Sequence, residues 1–224
     1  MKHSGDPWTA SGMKDYNKPH EAPVRAFLER IVHDPKNHAK FLNMLSMLEH
    51  MGSRKIMVSQ MNRPEEMDQD TLQHLAEEAR HAYFFKRHAE RINGSPMKGW
   101  LDGNTMTRVP ALMYFGRMDA GISKQVGDDQ AYGWVSLIIE LRACWLYEIY
   151  NDVVEKAGVH LPLKGLLAEE DHHLAEMFEM CGENHQQLQE LSKYETGLFE
   201  KLWAALENAY PVESRDALDN AAAA

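Results

Sequence analysis

The chain has 224 residues, a formal net charge of −10 at pH 7 and two cysteines. This length fits one domain with a substantial core, and the acidic balance argues against general binding of nucleic acid or anionic membranes. The sequence lacks a disulfide framework, the apolar segment of a signal peptide and any apolar stretch of the roughly 20 residues that cross a bilayer, so we expect a cytoplasmic protein.

Apolar residues recur at helical spacing along most of the chain, between breaks that contain Pro and Gly. The pattern predicts a polar N-terminal arm over residues 1–20, a single helical domain over residues 21–212 and a tail over residues 213–224. Within the domain it predicts helices at about 21–32, 36–60, 64–92, 109–126, 129–151, 162–180 and 184–210, with Pro64 in the first turn of the third. The long connection over residues 93–128 would carry the chain back along a bundle of the other helices.

Two of the predicted helices carry a glutamate inside an apolar run: Glu49 follows Phe41–Leu48, and Glu140 lies within Trp134–Leu141. Burying an unpaired carboxylate costs several kcal/mol, so such glutamates need protons or cations beside them. Gly52, one turn after Glu49, would leave room beside a metal. The expected inward faces are Leu42, Leu45, Glu49, Gly52 and Ile56 on the 36–60 helix, and Leu75, Glu78, Ala82 and Phe85 on the 64–92 helix.

The motif Glu-x-x-His occurs in both halves of the chain, and three residues are about one helical turn, so the two side chains of each motif point into the same space. About one such motif is expected by chance, but here the spacing repeats as well: 29 residues separate Glu49 from Glu78, and 30 separate Glu140 from Glu170. One Glu from each of two helices, plus Glu-x-x-His from each of two others, is the ligand set of a carboxylate-bridged dimetal site in a four-helix bundle. The predicted metal ligands are Glu49, Glu78, His81, Glu140, Glu170 and His173.

Glu148 is a rival to Glu140. If its helix ran straight to Gly158, a simple hairpin would bring Glu148 level with Glu170. Glu140 requires either an irregular link that starts near Asn151 or a lopsided turn. Its deeper apolar setting and the matched 30-residue spacing favour Glu140.

Further polar residues adjoin the predicted ligands. His172 competes with His173, which we favour because it reproduces the Glu-x-x-His spacing of the first half. His74, one turn before the first motif, is either an additional polar group beside the metals or a hydrogen-bonded core histidine. Glu77 and Glu169 directly precede the ligand glutamates, and they either orient the ligand imidazoles or remain exposed helix charges.

The run Glu77–His81 is similar to the acidic-Glu-x-Arg-His signature of di-iron monooxygenase hydroxylases and related oxidases. Glu140, followed by Tyr147 two turns later, is similar to the helix that supplies the bridging glutamate in oxygen-dependent aldehyde decarbonylases. Over residues 36–92 and 129–180 the chain therefore resembles the ferritin-like di-iron carboxylate superfamily, in its oxygen-activating branch. The resemblance implies an all-α, ferritin-like four-helix bundle with a long crossover connection and additional flanking helices.

The resemblance also implies that Glu49, Glu78 and His81 hold one iron and that Glu140, Glu170 and His173 hold the other, with Glu78 and Glu170 as bridging, catalytic residues. Hard carboxylates suit iron and manganese, so we expect two iron ions, with dimanganese or mixed manganese–iron as alternatives. The expected activity is O₂-dependent oxidation of a small organic substrate by a homodimer, with a separate reductase as electron donor. The alternatives are a ferroxidase or peroxide scavenger, and a helical dimer with a structural metal site.

Overall fold

The structure, a computed structural model, describes residues 6–61 and 67–211 of the chain. Over these residues it confirms the predicted all-α class, with eight helices and no strand. None of these helices is both long enough and apolar enough to span a bilayer. They are α1 (Pro7–Ser11), α2 (Met13–Ile31), α3 (Pro35–Gln60), α4 (Gln69–Asn93), α5 (Arg108–Val126), α6 (Asp128–Lys156), α7 (Lys164–Cys181) and α8 (His185–Ala209).

The N-terminal segment is more ordered than the polar sequence indicated. Helix α2 begins at Met13 rather than near residue 21, and α1 precedes it, so the expected arm is helical from Pro7 onward except at Gly12. The Met13 side chain is fully buried, and Asn17 Oδ1 accepts a hydrogen bond from Arg142 Nη1 at 2.5 Å. These contacts with α6 are tertiary, which is why the local sequence pattern did not reveal them.

Helix α4 begins five residues later than the predicted start at Pro64. The Asp68 side chain caps the helix by accepting a hydrogen bond from the Thr71 backbone N–H at 2.9 Å, which satisfies one of the free donors of the first turn. Pro64 itself lies outside the described residues, as does the tail over residues 213–224.

Four long helices enclose the interior in which the predicted ligands lie. Helix α3 packs along α4, and α6 packs along α7, while contacts between α3 and α6 and between α4 and α7 join the two pairs. Helices α2, α5 and α8 cover α6 from other sides. As a result α6 is buried around most of its circumference, which explains why the run from Trp134 to Ile139 is apolar except at Ser136.

A buried ion pair ties the covering helices to α6. The Nε and Nη2 atoms of Arg142 donate to the two carboxylate oxygens of Glu195 on α8 at 2.9 and 2.7 Å, and Tyr114 on α5 donates to the same carboxylate at 2.6 Å. Each partner is hydrogen-bonded on several sides, which offsets the desolvation of two buried charges. Together with Asn17, this network connects α2, α5, α6 and α8 beside the predicted site.

Candidate metal centre

The six predicted ligands meet in the interior between α3, α4, α6 and α7. Each helix contributes one glutamate, and the most exposed of the four, Glu49, is only 8% exposed. Two groups of side chains have ligand atoms within 4.8 Å of one another. One group is Glu49, Glu78, His81 and Glu170, and the other is His74, Glu78, Glu140 and His173.

Each predicted ligand histidine is held by a carboxylate from the opposite helix. His81 Nε2 on α4 lies 2.8 Å from Glu169 Oε2 on α7, and His173 Nε2 on α7 lies 2.7 Å from Glu77 Oε2 on α4. Arg80 Nη2 donates to the same oxygen of Glu169 at 2.7 Å. A ring that donates its Nε2–H to a carboxylate keeps its Nδ1 lone pair available for a metal. Glu77 and Glu169 therefore orient the imidazoles, one of the two roles that the sequence left open.

The Nδ1 atoms of both rings point at Glu170. His81 Nδ1 lies 3.1 Å from Glu170 Oε1, and His173 Nδ1 lies 3.4 Å from Glu170 Oε2. Both Nδ1 atoms and both Glu170 oxygens are nevertheless buried without a hydrogen-bond partner among the described residues. Buried polar atoms without partners are costly, and converging carboxylate and imidazole donors are the ligands of Fe²⁺ and Mn²⁺. The residues therefore fit two divalent cations, with Glu78 common to both groups.

The electrostatics of the centre indicate the same need for cations. Burial, together with the nearby Glu78 and Glu170 carboxylates, raises the pKa of Glu49 and of Glu140 well above the usual range. Burial also opposes ionisation of Glu170, but His173 and His81 outweigh it and lower the pKa of that carboxyl. For His81, burial is outweighed by Glu170 and the other carboxylates, which raise its pKa to about 10. Four carboxylates this close cannot all be ionised unless protons or metal ions balance their charge.

The structure separates the two pairs of alternatives in the second half of the chain. Glu140 is buried in the cluster, whereas Glu148 is exposed. His173 is buried at the centre, whereas His172 is exposed and lies 3.2 Å from Glu176 on the surface of α7.

Of the two arrangements that would bring Glu140 level with Glu170, the structure has the lopsided turn and not the irregular link near Asn151. Helix α6 continues without interruption to Lys156. The asymmetry lies instead in residues 157–163, where Leu161 and Leu163 are buried in the core. This connecting segment runs along the core before α7 begins, so the turn is lopsided, and α7 meets α6 at the level of Glu140.

His74 is the polar residue whose role the sequence left least defined. It takes the inward position expected for Leu75, which is only half-buried. His74 Nε2 lies 3.5 Å from Glu140 Oε1 and 3.7 Å from Glu78 Oε1, and its Nδ1 lies 2.9 Å from the Tyr132 hydroxyl. The signal for this placement is the spacing His74-x-x-x-Glu78-x-x-His81, which puts all three side chains on one face of α4.

Tyr147 on α6 and Gly52 on α3 contact the glutamates on the side of the centre that faces α3. Tyr147 donates a hydrogen bond to Glu49 Oε1. Gly52 faces Glu78 so closely that a Cβ atom at this position would lie 2.5 Å from Glu78 Oε2. The room that the sequence predicted at Gly52 is therefore occupied by the Glu78 carboxylate.

An apolar cavity of about 80 Å³ adjoins the cluster on the side of α3, α5, α6 and α8. Its polar lining residues are Glu49, Glu78, Glu140 and Tyr147 of the cluster, together with Tyr114 and Arg142. A water needs about 10–15 Å³ by a comparable measure, so the cavity can hold more than a single solvent molecule. Its walls are mainly apolar and include Leu48, Phe115, Ile139, Ala143, Leu146 and Trp203.

Two surface depressions approach the interior. One, between α5 and α8, shares Tyr114 and Leu202 with the apolar cavity. The other reaches His74 and Tyr132 from the opposite surface, and its walls carry Asp68, Asp70, Glu176 and Glu179. The centre thus has an apolar side and an acidic side.

No protein-family model matches the chain, and neither a curated protein nor a solved structure is detectably similar to it. The geometry of the centre therefore carries the functional proposal.

Proposed function

We propose that the chain is a ferritin-like dimetal carboxylate oxidoreductase that binds two iron ions and activates O₂ to oxidise a small, apolar organic substrate. Glu49, Glu78, His81, Glu140, Glu170 and His173 would hold the ions, and Glu78 is common to the two groups of converging ligand atoms. When bound, the ions would supply the redox chemistry that O₂ requires. A separate reductase would return the electrons, since the two cysteines of the chain lie on α6 and α7 and cannot form rubredoxin-like pairs.

The chain's own residues would position the ligands and exclude water. Glu77 and Glu169 hold the two imidazoles with Nδ1 toward the carboxylates. Tyr147 holds Glu49, and Gly52 allows Glu78 to approach α3. Fixed ligands and dry surroundings are the features by which a protein directs a reactive centre toward one target.

The observation that carries the proposal is the apolar cavity that ends on Glu49, Glu78 and Glu140. A site that only stores or oxidises inorganic ions has no need for an apolar space beside its ligands. Small-molecule sites are concave and mostly apolar, with a few polar groups at the reacting end. The cavity fits that description, and it favours an aliphatic or monocyclic aromatic group over a charged one.

A second function, oxidation of Fe(II), is favoured by the acidic depression over His74. Carboxylates at Asp68, Asp70, Glu176 and Glu179 would concentrate cations at this surface. The same depression would also serve an oxygenase as the route by which its ions enter, so it supports both functions.

The test measures O₂ consumption by the reduced, iron-loaded protein. We expect slow consumption alone and faster consumption with one or more members of a panel of short aliphatic and monocyclic aromatic compounds. Repeated oxidation of added Fe(II), with no response to any organic compound, would instead establish the second function. The His81→Ala variant is the control, because it should lose metal and both activities.

A further inference from the structure

We infer that His74 is a third histidine ligand of the centre, so that the two metal positions are unequal. This inference rests on the proposed metal centre and extends it by a residue outside the repeated Glu-x-x-His pattern. His74 is 2% exposed and belongs with Glu78, Glu140 and His173 to one of the two groups of converging ligand atoms. Its ring centroid lies 4.3 Å from that of His173.

The contacts of His74 Nε2 with Glu140 and Glu78, at 3.5 and 3.7 Å, are too long for N–H···O hydrogen bonds. They instead fall within the 4.8 Å over which all ligand atoms of this group converge, as atoms that share one cation must.

The nitrogen of His74 that faces away from the carboxylates, Nδ1, has a hydrogen-bond partner, as does the corresponding nitrogen of the other two histidines. His81 and His173 present Nδ1 to the carboxylates and are held at Nε2 by Glu169 and Glu77. His74 presents Nε2 and is held at Nδ1 by the Tyr132 hydroxyl, 2.9 Å away. A Nδ1–H that donates to the Tyr132 oxygen leaves the Nε2 lone pair directed at the cluster. The Tyr132 proton can then point into the acidic depression, which Tyr132 lines.

The assignment makes the centre chemically asymmetric. The position at Glu140 would have two imidazoles, from His74 and His173, whereas the position at Glu49 and Glu170 would have one, from His81. Imidazole favours Fe²⁺ and Co²⁺, while a carboxylate-rich set suits Mn²⁺ better. We therefore expect the Glu140 position to bind Co²⁺ more tightly than the other and to discriminate more strongly against Mn²⁺.

The experiment is a titration of the metal-free protein with Co²⁺, followed by its visible absorption spectrum and by direct metal analysis. The unmodified protein should bind two ions in two unequal steps. In His74→Gly the tighter step should weaken by at least about tenfold, the order of loss for disturbing metal ligation, and Tyr132→Phe should weaken it by about tenfold. Added imidazole should restore the tighter step in His74→Gly, which a merely misfolded variant would not allow.

The matched control is His38→Gly. His38 is also buried and also contacts a tyrosine hydroxyl, that of Tyr150, but belongs to neither ligand group. The His38→Gly variant should keep both Co²⁺ binding steps. If His74→Gly binds two Co²⁺ ions with unchanged affinities and spectrum while His81→Ala loses binding, His74 is not a ligand and the proposed centre stands. If the unmodified protein binds no Co²⁺, the metal centre itself is wrong.

Discussion

At the scale of single residues, the centre depends on which carboxylate lies in the interior. Glu140→Gln removes a ligand charge, and we expect loss of at least one metal ion. The same change removes one of four mutually repelling carboxylates, so the metal-free variant should be no less stable than the metal-free parent. Glu148→Gln, on the exposed side of α6, is the matched control and should change neither property. Metal analysis and thermal melting check both variants, and greater metal loss in Glu148→Gln would contradict the placement.

Gly52 provides a steric test of the same cluster. In Gly52→Ala the added Cβ would lie 2.5 Å from Glu78 Oε2, so the carboxylate must move, and we expect weaker binding of both ions. Gly116→Ala on α5 is the control, because a Cβ there meets nothing within 4 Å. That variant should keep its metal and gain about 0.5–1 kcal/mol of stability, since alanine is the better helix former. If Gly52→Ala bound metal as tightly as the parent, Glu78 would not be held in place by metals.

His38 predicts a pH dependence that is separate from the centre. Burial lowers its pKa to about 4, against about 6.5 in an unfolded chain. The unfolded state therefore binds the proton first as the pH falls, so stability decreases from about pH 6.5 down to about pH 4, by up to about 3 kcal/mol. His38→Gln should reduce this slope, measured as the free energy of unfolding in urea at several pH values. An unchanged slope would mean that His38 is protonated in the folded protein.

At the scale of helices, the packing of α3, α5, α6 and α8 leaves the apolar cavity beside the centre. Ala143 on α6 lines this cavity, and Ala143→Leu should fill part of it. We expect the variant to retain its metal and to lose much of its substrate-stimulated O₂ consumption. Its free energy of unfolding should fall by no more than about 1–3 kcal/mol. Ala204→Leu, on the exposed side of α8, is the control and should behave like the parent. Full activity in Ala143→Leu would remove the cavity as the substrate site.

At the scale of the whole molecule, the centre joins four helices, so metal binding should stabilise the entire fold. A ligand at 100 times its dissociation constant contributes about 2.7 kcal/mol, which for a chain of this size corresponds to about 5–11 °C in melting temperature. We expect treatment with a chelator to lower the melting temperature by this order and added Fe²⁺ under argon to restore it. His81→Ala should show a much smaller response. Equal melting temperatures with and without metal would mean that any bound ions lie outside the interior.

The helical class and the candidate ligand residues follow from local patterns in the sequence. Apolar residues at helical spacing predicted the helices because burial of one face is a local periodic signal. Glu49 and Glu140 could be singled out because a carboxylate in an apolar run is costly unless something balances it. The repeated Glu-x-x-His motif added Glu78, His81, Glu170 and His173 through helical geometry.

The sequence alone was less informative where the answer depends on how one helix meets another. Periodicity does not determine the rotation of a helix, so Leu75 was expected inside where His74 lies. Periodicity also does not determine which residues of two neighbouring helices lie opposite each other. Here that depends on Leu161 and Leu163, which are buried in the segment that connects α6 to α7. The crosswise support of the histidines by Glu77 and Glu169 likewise joins residues that are far apart in the chain.

Local sequence patterns are thus enough to establish that the chain is helical and that it carries a paired set of carboxylates and histidines at metal-ligand spacing. The packing of the helices was needed to show that Glu140 rather than Glu148 joins this set, that His74 lies beside it and that an apolar cavity adjoins it. The physical reason is that a helical face is defined by interactions within a few residues. A cavity and a ligand sphere are defined by the distances between separate helices, which the packing of the whole chain sets.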